Sequence, residues 1–183
     1  YNMAVTLQDQ NKLENAIENY KKVLVFKPDH TESYINIGSV LQGQGKIQEA
    51  IEAYNNALSI NPNDAEVYNN MGLVFKEQGK LEEAIDAFNK AILVKPDYAD
   101  AYNNLGNALK EQRKIEEAIE AYNKVLSIKP DYGTAKHMLA SLTGEKTKTA
   151  PREYVENLFD SYAKKFEASL MDKLEYKIPK LIR

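Results

Sequence analysis

Four prolines, Pro28, Pro62, Pro96 and Pro130, stand 34 residues apart each time. A step kept three times over means that the chain is built from copies of one unit, and such a period is read before anything else. Other residue types keep it. Small residues fall at Ala4, Gly38, Gly72, Gly106 and Ala140, and aliphatic ones at Met3, Ile37, Met71, Leu105 and Leu139. Alanine recurs at Ala16, Ala50, Ala84 and Ala118, with an aromatic four residues later at Tyr20, Tyr54, Phe88 and Tyr122.

Each unit reads as two helices. In the third, Tyr68, Met71, Gly72 and Phe75 fall on one helical face, a turn follows at Gln78-Gly79, and Leu81, Ala84, Ile85, Phe88, Ala91 and Ile92 mark a second face. Pro96 ends that helix. No segment alternates as a strand would, so the expected class is all-α. Two antiparallel helices approach closely only where small side chains meet, and Gly72 and Ala84 supply that crossing with Phe88 and Tyr68 beside it. One helix pair cannot cover its own apolar face, so neighbouring pairs must stack.

With Tyr34, Ile37, Gly38, Leu41, Ala50, Tyr54 and Pro62 in the second unit, and the same pattern in the third and fourth, residues 1 to about 143 resemble the tetratricopeptide repeat (TPR) family. The resemblance implies a right-handed solenoid of helix-turn-helix repeats whose first helices line a concave face. The expected division is a partial repeat 1–30, repeats 31–64, 65–98 and 99–132, a capping helix 133–142, a linker 143–150 and a helical extension 151–183. Tyr1 falls inside the first helix of its pair, so further repeats are expected ahead of it in a longer parent. The turn between paired helices carries Asn11, Gly45 and Gly79, then Arg113, which is costlier in a left-handed conformation. A strained or differently shaped turn is expected there.

Composition narrows the function. The net charge is −3, too weak and mixed for a surface dominated by phosphate contacts, and nucleic acid is not an expected partner. The tyrosines interleave with lysines, but most occupy repeat packing positions. There is no cysteine, and His30 and His137 are the only histidines. Disulfides, thiolate metal sites and a cysteine nucleophile are excluded, a histidine-rich metal site is not expected, and no cofactor or catalytic residue is assigned. Glu82 with Glu83, and Glu116 with Glu117, are read as first-turn acids complementing helix dipoles. No apolar run approaches the roughly 20 residues needed to span a bilayer, and no signal-peptide pattern opens the chain. The expectation is a soluble cytoplasmic protein with no membrane partner.

The concave wall is expected from positions between the packed ones. One such row is Asn2, Asn36, Asn70 and Asn104, asparagine every time. Beside it run Tyr1, Ile35, Asn69 and Asn103; then Val5, Ser39, Leu73 and Asn107; then Gln8, Gln42, Lys76 and Lys110. At the lip lie Glu32, Glu66 and Asp100. A carboxamide carries donors and an acceptor, so it can pair with both groups of a peptide unit. Asparagine is a mediocre helix former, so its fixed use within a helix calls for a reason. The row resembles the asparagine ladder of O-linked N-acetylglucosamine transferases, which grips polypeptide substrates through their backbone. The expected function is protein or peptide binding in this groove.

After Leu142 the repeat stops. Pro151 is expected to open a helix with an apolar stripe of Val155, Leu158, Phe159, Tyr162, Phe166 and Leu170. Phe159, Asp160, Tyr162, Ala163, Phe166, Leu174, Tyr176 and Pro179 resemble the lead-in of class I S-adenosylmethionine-dependent methyltransferases fused behind such repeats. That resemblance implies a recruiting arm of a larger enzyme. A glycosyltransferase arm and a stand-alone assembly scaffold are the alternatives. The stripe is expected to pack on the last repeat, with self-association through the tail helix as the other outcome.

Overall fold

The computed structural model describes residues 1–10, 12–144, 159–160, 162–163 and 166. The described residues form an all-α helical-repeat stack. Its helices are α1 (Asn2–Asp9), α2 (Leu13–Phe26), α3 (Thr31–Gly43), α4 (Ile47–Ile60), α5 (Ala65–Glu77), α6 (Leu81–Val94), α7 (Ala99–Glu111), α8 (Ile115–Ile128) and α9 (Gly133–Thr143). There is no strand among the described residues.

Each odd-numbered helix packs on the even-numbered helix that follows it, and each even-numbered helix packs on the next odd-numbered one. The crossing is tight where the period predicts. A Cβ built on Gly38 would lie 2.5 Å from Tyr54 Cε1, and one on Gly106 would lie 2.8 Å from Tyr122 Cε1. Gly72 is pressed against Phe88 in the same way. Ala16, Ala50, Ala84 and Ala118 are fully buried, as are Tyr20, Tyr54, Phe88 and Tyr122. Ring and glycine therefore form one repeated joint, with a fully buried alanine one turn before the ring, and burying each ring on the order of 150–250 Å² is what holds a repeat together.

First helices also approach one another, α3 with α5 and α5 with α7. Among the described residues no two second helices meet as extensively. Contact on one side and separation on the other bends the stack toward the odd-numbered helices, so their free faces form its inner side.

The turns inside repeats share one geometry. Gly45 and Gly79 both have φ +73°. Arg113 adopts φ +63°, and its N–H donates to Lys110 O at 3.0 Å, as Gly79 N–H does to Lys76 O at 2.9 Å. The turn is thus strained for a non-glycine residue but not reshaped. Packing on both sides dictates the backbone and arginine accepts it. Asn11 lies outside the described residues.

In the tail, Phe159, Tyr162 and Phe166 are helical and about two-thirds exposed, at 67%, 65% and 68%. The expected burial of the stripe does not occur at these three rings. The expectations for Pro151, Val155, Leu158, Leu170, Leu174, Tyr176 and Pro179 fall outside the described residues.

Candidate binding groove

The inner faces of α1, α3, α5, α7 and α9 lie side by side. The asparagine row is on them: Asn2 is exposed and Asn36, Asn70 and Asn104 are half-buried. None of the four is buried in the core. Its members are not equivalent, however. Asn36 Nδ2 donates to Tyr1 Oη at 3.0 Å, and Asn104 Nδ2 donates to Asn69 Oδ1 at 2.9 Å. At the corresponding place beside Asn70 stands Ile35, which offers no polar group, and Asn70 makes no side-chain hydrogen bond among the described residues.

Asn69 and Asn103 correct the sequence reading. They are 6% and 8% exposed, too buried to form the binding wall. Asn69 acts as the acceptor that seats Asn104. Asn103 would seat the next rung, but Met138 occupies that position on α9, and Asn103 Oδ1 is left without a hydrogen-bond partner. Lys110 Nζ lies 3.3 Å from Met138 Sδ there.

These pairs share a register. Tyr1 with Asn36, Asn69 with Asn104, Gln42 with Glu77, and Lys76 with Glu111 are each 35 residues apart. The inner wall is therefore cross-tied from helix to helix. Gln42 Nε2 donates to Glu77 Oε1 at 2.8 Å, and Lys76 Nζ lies 3.8 Å from Glu111 Oε1.

A second set of bonds comes up from the core. The Tyr20 hydroxyl donates to Gln8 Oε1 at 2.9 Å, Tyr54 to Gln42 Oε1 at 3.3 Å, and Tyr122 to Asn107 Oδ1 at 2.8 Å. Where the ring is Phe88, the same two acceptor positions carry Leu73 and Lys76 instead of amides. A buried phenol must be satisfied and a buried phenyl need not be. Gln8, Gln42 and Asn107 thus spend a carbonyl on the core. Ser39 is exposed and Lys110 half-buried on the same wall.

The lip carries the acids at the first turns of α3, α5 and α7. Glu32 lies 3.6 Å from His30 Nδ1, Asp100 Oδ1 accepts from the Tyr132 hydroxyl at 3.0 Å, and Glu66 is exposed. Tyr98, near Glu66, is held above the usual tyrosine range by burial first, then by Glu66, Asp100 and Asp64. The sequence reading missed Tyr98 and Tyr132. Their signal was the recurrence of Lys-Pro-Asp-Tyr at 95–98 and 129–132.

A furrow on the opposite side, about 640 Å³, lies between α6 and α8 over Tyr102, Leu105 and Leu109 of α7. Glu82 with Glu83 and Glu116 with Glu117 sit in first turns, as expected of dipole partners. Among the described residues no group of three or more His, Asp or Glu is placed to hold a metal ion, and no helix is long and apolar enough to cross a membrane.

Comparison with solved structures places this architecture. MamA, known from its crystal structure, is 27% identical, with a TM-score of 0.69, covering 100% of this chain and 95% of that one. The first TPR of Spaghetti (RPAP3), bound to the HSP90 peptide SRMEEVD, is 25% identical with a TM-score of 0.60, covering 62% of this chain and 90% of that one. PilF of Pseudomonas aeruginosa, at 24% identity and a TM-score of 0.73, covers 89% of this chain and 73% of that one and shares the fold. No curated protein matches the chain. Residues 6–45, 43–79 and 74–113 match the family described as TPR repeat, and residues 99–132 match the family described as tetratricopeptide repeat. With matches running from residue 6 to residue 132, the chain belongs to the tetratricopeptide repeat family.

Proposed function

We propose that the inner groove binds an extended polypeptide segment, chiefly through its backbone. Tetratricopeptide domains generally mediate protein–protein interaction, and a structural neighbour holds a peptide. The observation that carries the proposal is Asn70, a half-buried amide at mid-groove whose donors and acceptor are all uncommitted. Adjacent first helices pack about 8–10 Å apart, so successive amides would meet an extended chain of polyproline II type every third residue. Asn36 and Asn104 have each used one donor internally and retain their carbonyls. That the groove is the recruiting arm of a larger methyltransferase is a further proposal, made on the tail's sequence resemblance alone.

The test is binding of a library of unstructured 12-residue peptides to Asn70→Ala. This substitution breaks no internal hydrogen bond, so the protein should unfold at the same denaturant concentration while peptide affinity falls several-fold. Undiminished affinity across the library would remove the groove from consideration.

A further inference from the structure

Two cavities repeat along the lip in register with the chain's period. One, about 430 Å³, is lined by Asp64, Glu66, Val94, Lys95 and Tyr98. The other, about 630 Å³, is lined by Asp100, Ile128, Lys129, Asp131 and Tyr132. Glu66 corresponds to Asp100, Val94 to Ile128, Lys95 to Lys129 and Tyr98 to Tyr132, each 34 residues on. Each cavity therefore joins a carboxylate on the first turn of a first helix to a tyrosine ring in the loop before the next repeat.

That pairing is chemistry for a cation. A tyrosine face attracts an ammonium or guanidinium group through its quadrupole, and a carboxylate beside it adds charge and acceptors. The chain itself shows that these rings take a cation. Lys95 Nζ lies 5.0 Å from the Tyr98 centroid, and Lys129 Nζ lies 5.8 Å from the Tyr132 centroid. Yet among the described residues neither lysine is ion-paired to Glu66 or Asp100; the ion pairs there are Lys22–Glu18, His30–Glu32, Lys76–Glu111 and Lys136–Asp131. The two carboxylates have no basic partner. Each stands in the first turn of a helix, whose dipole favours its charge.

Resting on the groove reading above, we propose that the lip selects the partner: it reads cationic side chains three residues apart on the extended segment that the groove holds. The spacing follows from the stack. The two cavities belong to adjacent repeats, whose first helices lie about 8–10 Å apart, and an extended chain in the polyproline II conformation rises about 3.1 Å per residue with three residues per turn, so that every third side chain shares a face. Side chains at i and i+3 therefore reach successive cavities. An acidic segment would meet Glu32, Glu66 and Asp100 in turn and be repelled.

Fluorescence anisotropy with the full chain tests this, using three labelled probes. The first is four copies of Arg-Gly-Ser, the second four copies of Gln-Gly-Ser, and the third two copies of Arg-Arg-Gly-Gly-Ser-Ser, which keeps the composition and breaks the spacing. At about 50 mM salt the first should bind about tenfold tighter than the second and several-fold tighter than the third, and the advantage should shrink at about 300 mM. Combining Glu66→Gln with Asp100→Asn should erase the preference for arginine and leave glutamine-probe binding unchanged. Asn70→Ala should weaken all three probes alike. Equal binding of the arginine and glutamine probes would overturn the lip proposal and leave the groove standing. Equal binding of the two arginine probes, or a preference that survives the double variant, would overturn it too. Absence of binding by every probe would bring down the groove reading with it.

Discussion

The Tyr54 hydroxyl reaches up from a fully buried ring to Gln42 Oε1 at 3.3 Å, and the same amide donates from Nε2 to Glu77 on the next first helix. Core, groove wall and neighbouring repeat are thus joined through one side chain.

Removing that acceptor should be costly only while the phenol is present. Gln42→Leu leaves a buried hydroxyl unsatisfied and should destabilise by about 1–3 kcal/mol. In a Tyr54→Phe background the same change should cost much less, because the third repeat already combines Phe88 with Leu73 and Lys76. A double-mutant cycle by urea denaturation checks this; additive effects would show that the hydrogen bond carries no coupling.

Tyr54 also ties stability to alkaline pH. Burial first, then the charges of Glu77 and Glu66, pushes its ionisation well above the ordinary tyrosine range. The unfolded phenol ionises at about pH 10. A raised folded value means that the neutral phenol's contribution is fully present below about pH 10 and is lost progressively above it. Denaturation midpoints measured from neutral pH to pH 11 should fall more steeply for the parent chain than for Tyr54→Phe. Parallel curves would contradict the assignment.

The helix crossing tolerates no added methyl group. A Cβ at Gly72 would run into the Phe88 ring, and at Gly38 into Tyr54, with no flexible side-chain end to give way. Gly72→Ala should cost about 1–3 kcal/mol despite alanine's better helix propensity. Gly43, on the same stretch of α3 as Gly38, meets nothing within 4 Å. Gly43→Ala should therefore stabilise slightly, and thermal melts of the two variants should move in opposite directions.

Arg113 holds a left-handed conformation that glycine holds in the two preceding repeats. Arg113→Gly should raise stability by up to about 1 kcal/mol, the relieved strain outweighing glycine's extra unfolded entropy. Arg113→Ala relieves nothing and should give no such gain. Chemical denaturation of the two variants separates backbone strain from loss of the arginine side chain.

Much of this molecule was written in the sequence because a repeat is a local statement made several times. The 34-residue step set Gly38, Gly72 and Gly106, and the rings Tyr54, Phe88 and Tyr122, at the same places in every copy, and the helix pairs followed from the spacing of apolar residues within each copy; that glycine meets the ring itself was seen only in the packing. Even the row of asparagines was visible as a row. What a period cannot reveal is the offset between stacked copies. The inner helices are shifted so that residues 35 apart meet, one more than the repeat itself. That single residue decides that Asn69 is buried beneath Asn104 and not exposed beside it, that Ile35 leaves Asn70 unbound, and that Met138 strands Asn103. Short-range order along the chain sets which residues form each helix. Which amides keep their hydrogen-bonding capacity for a partner depends on how one helix slides past the next, and only packing in three dimensions fixes that.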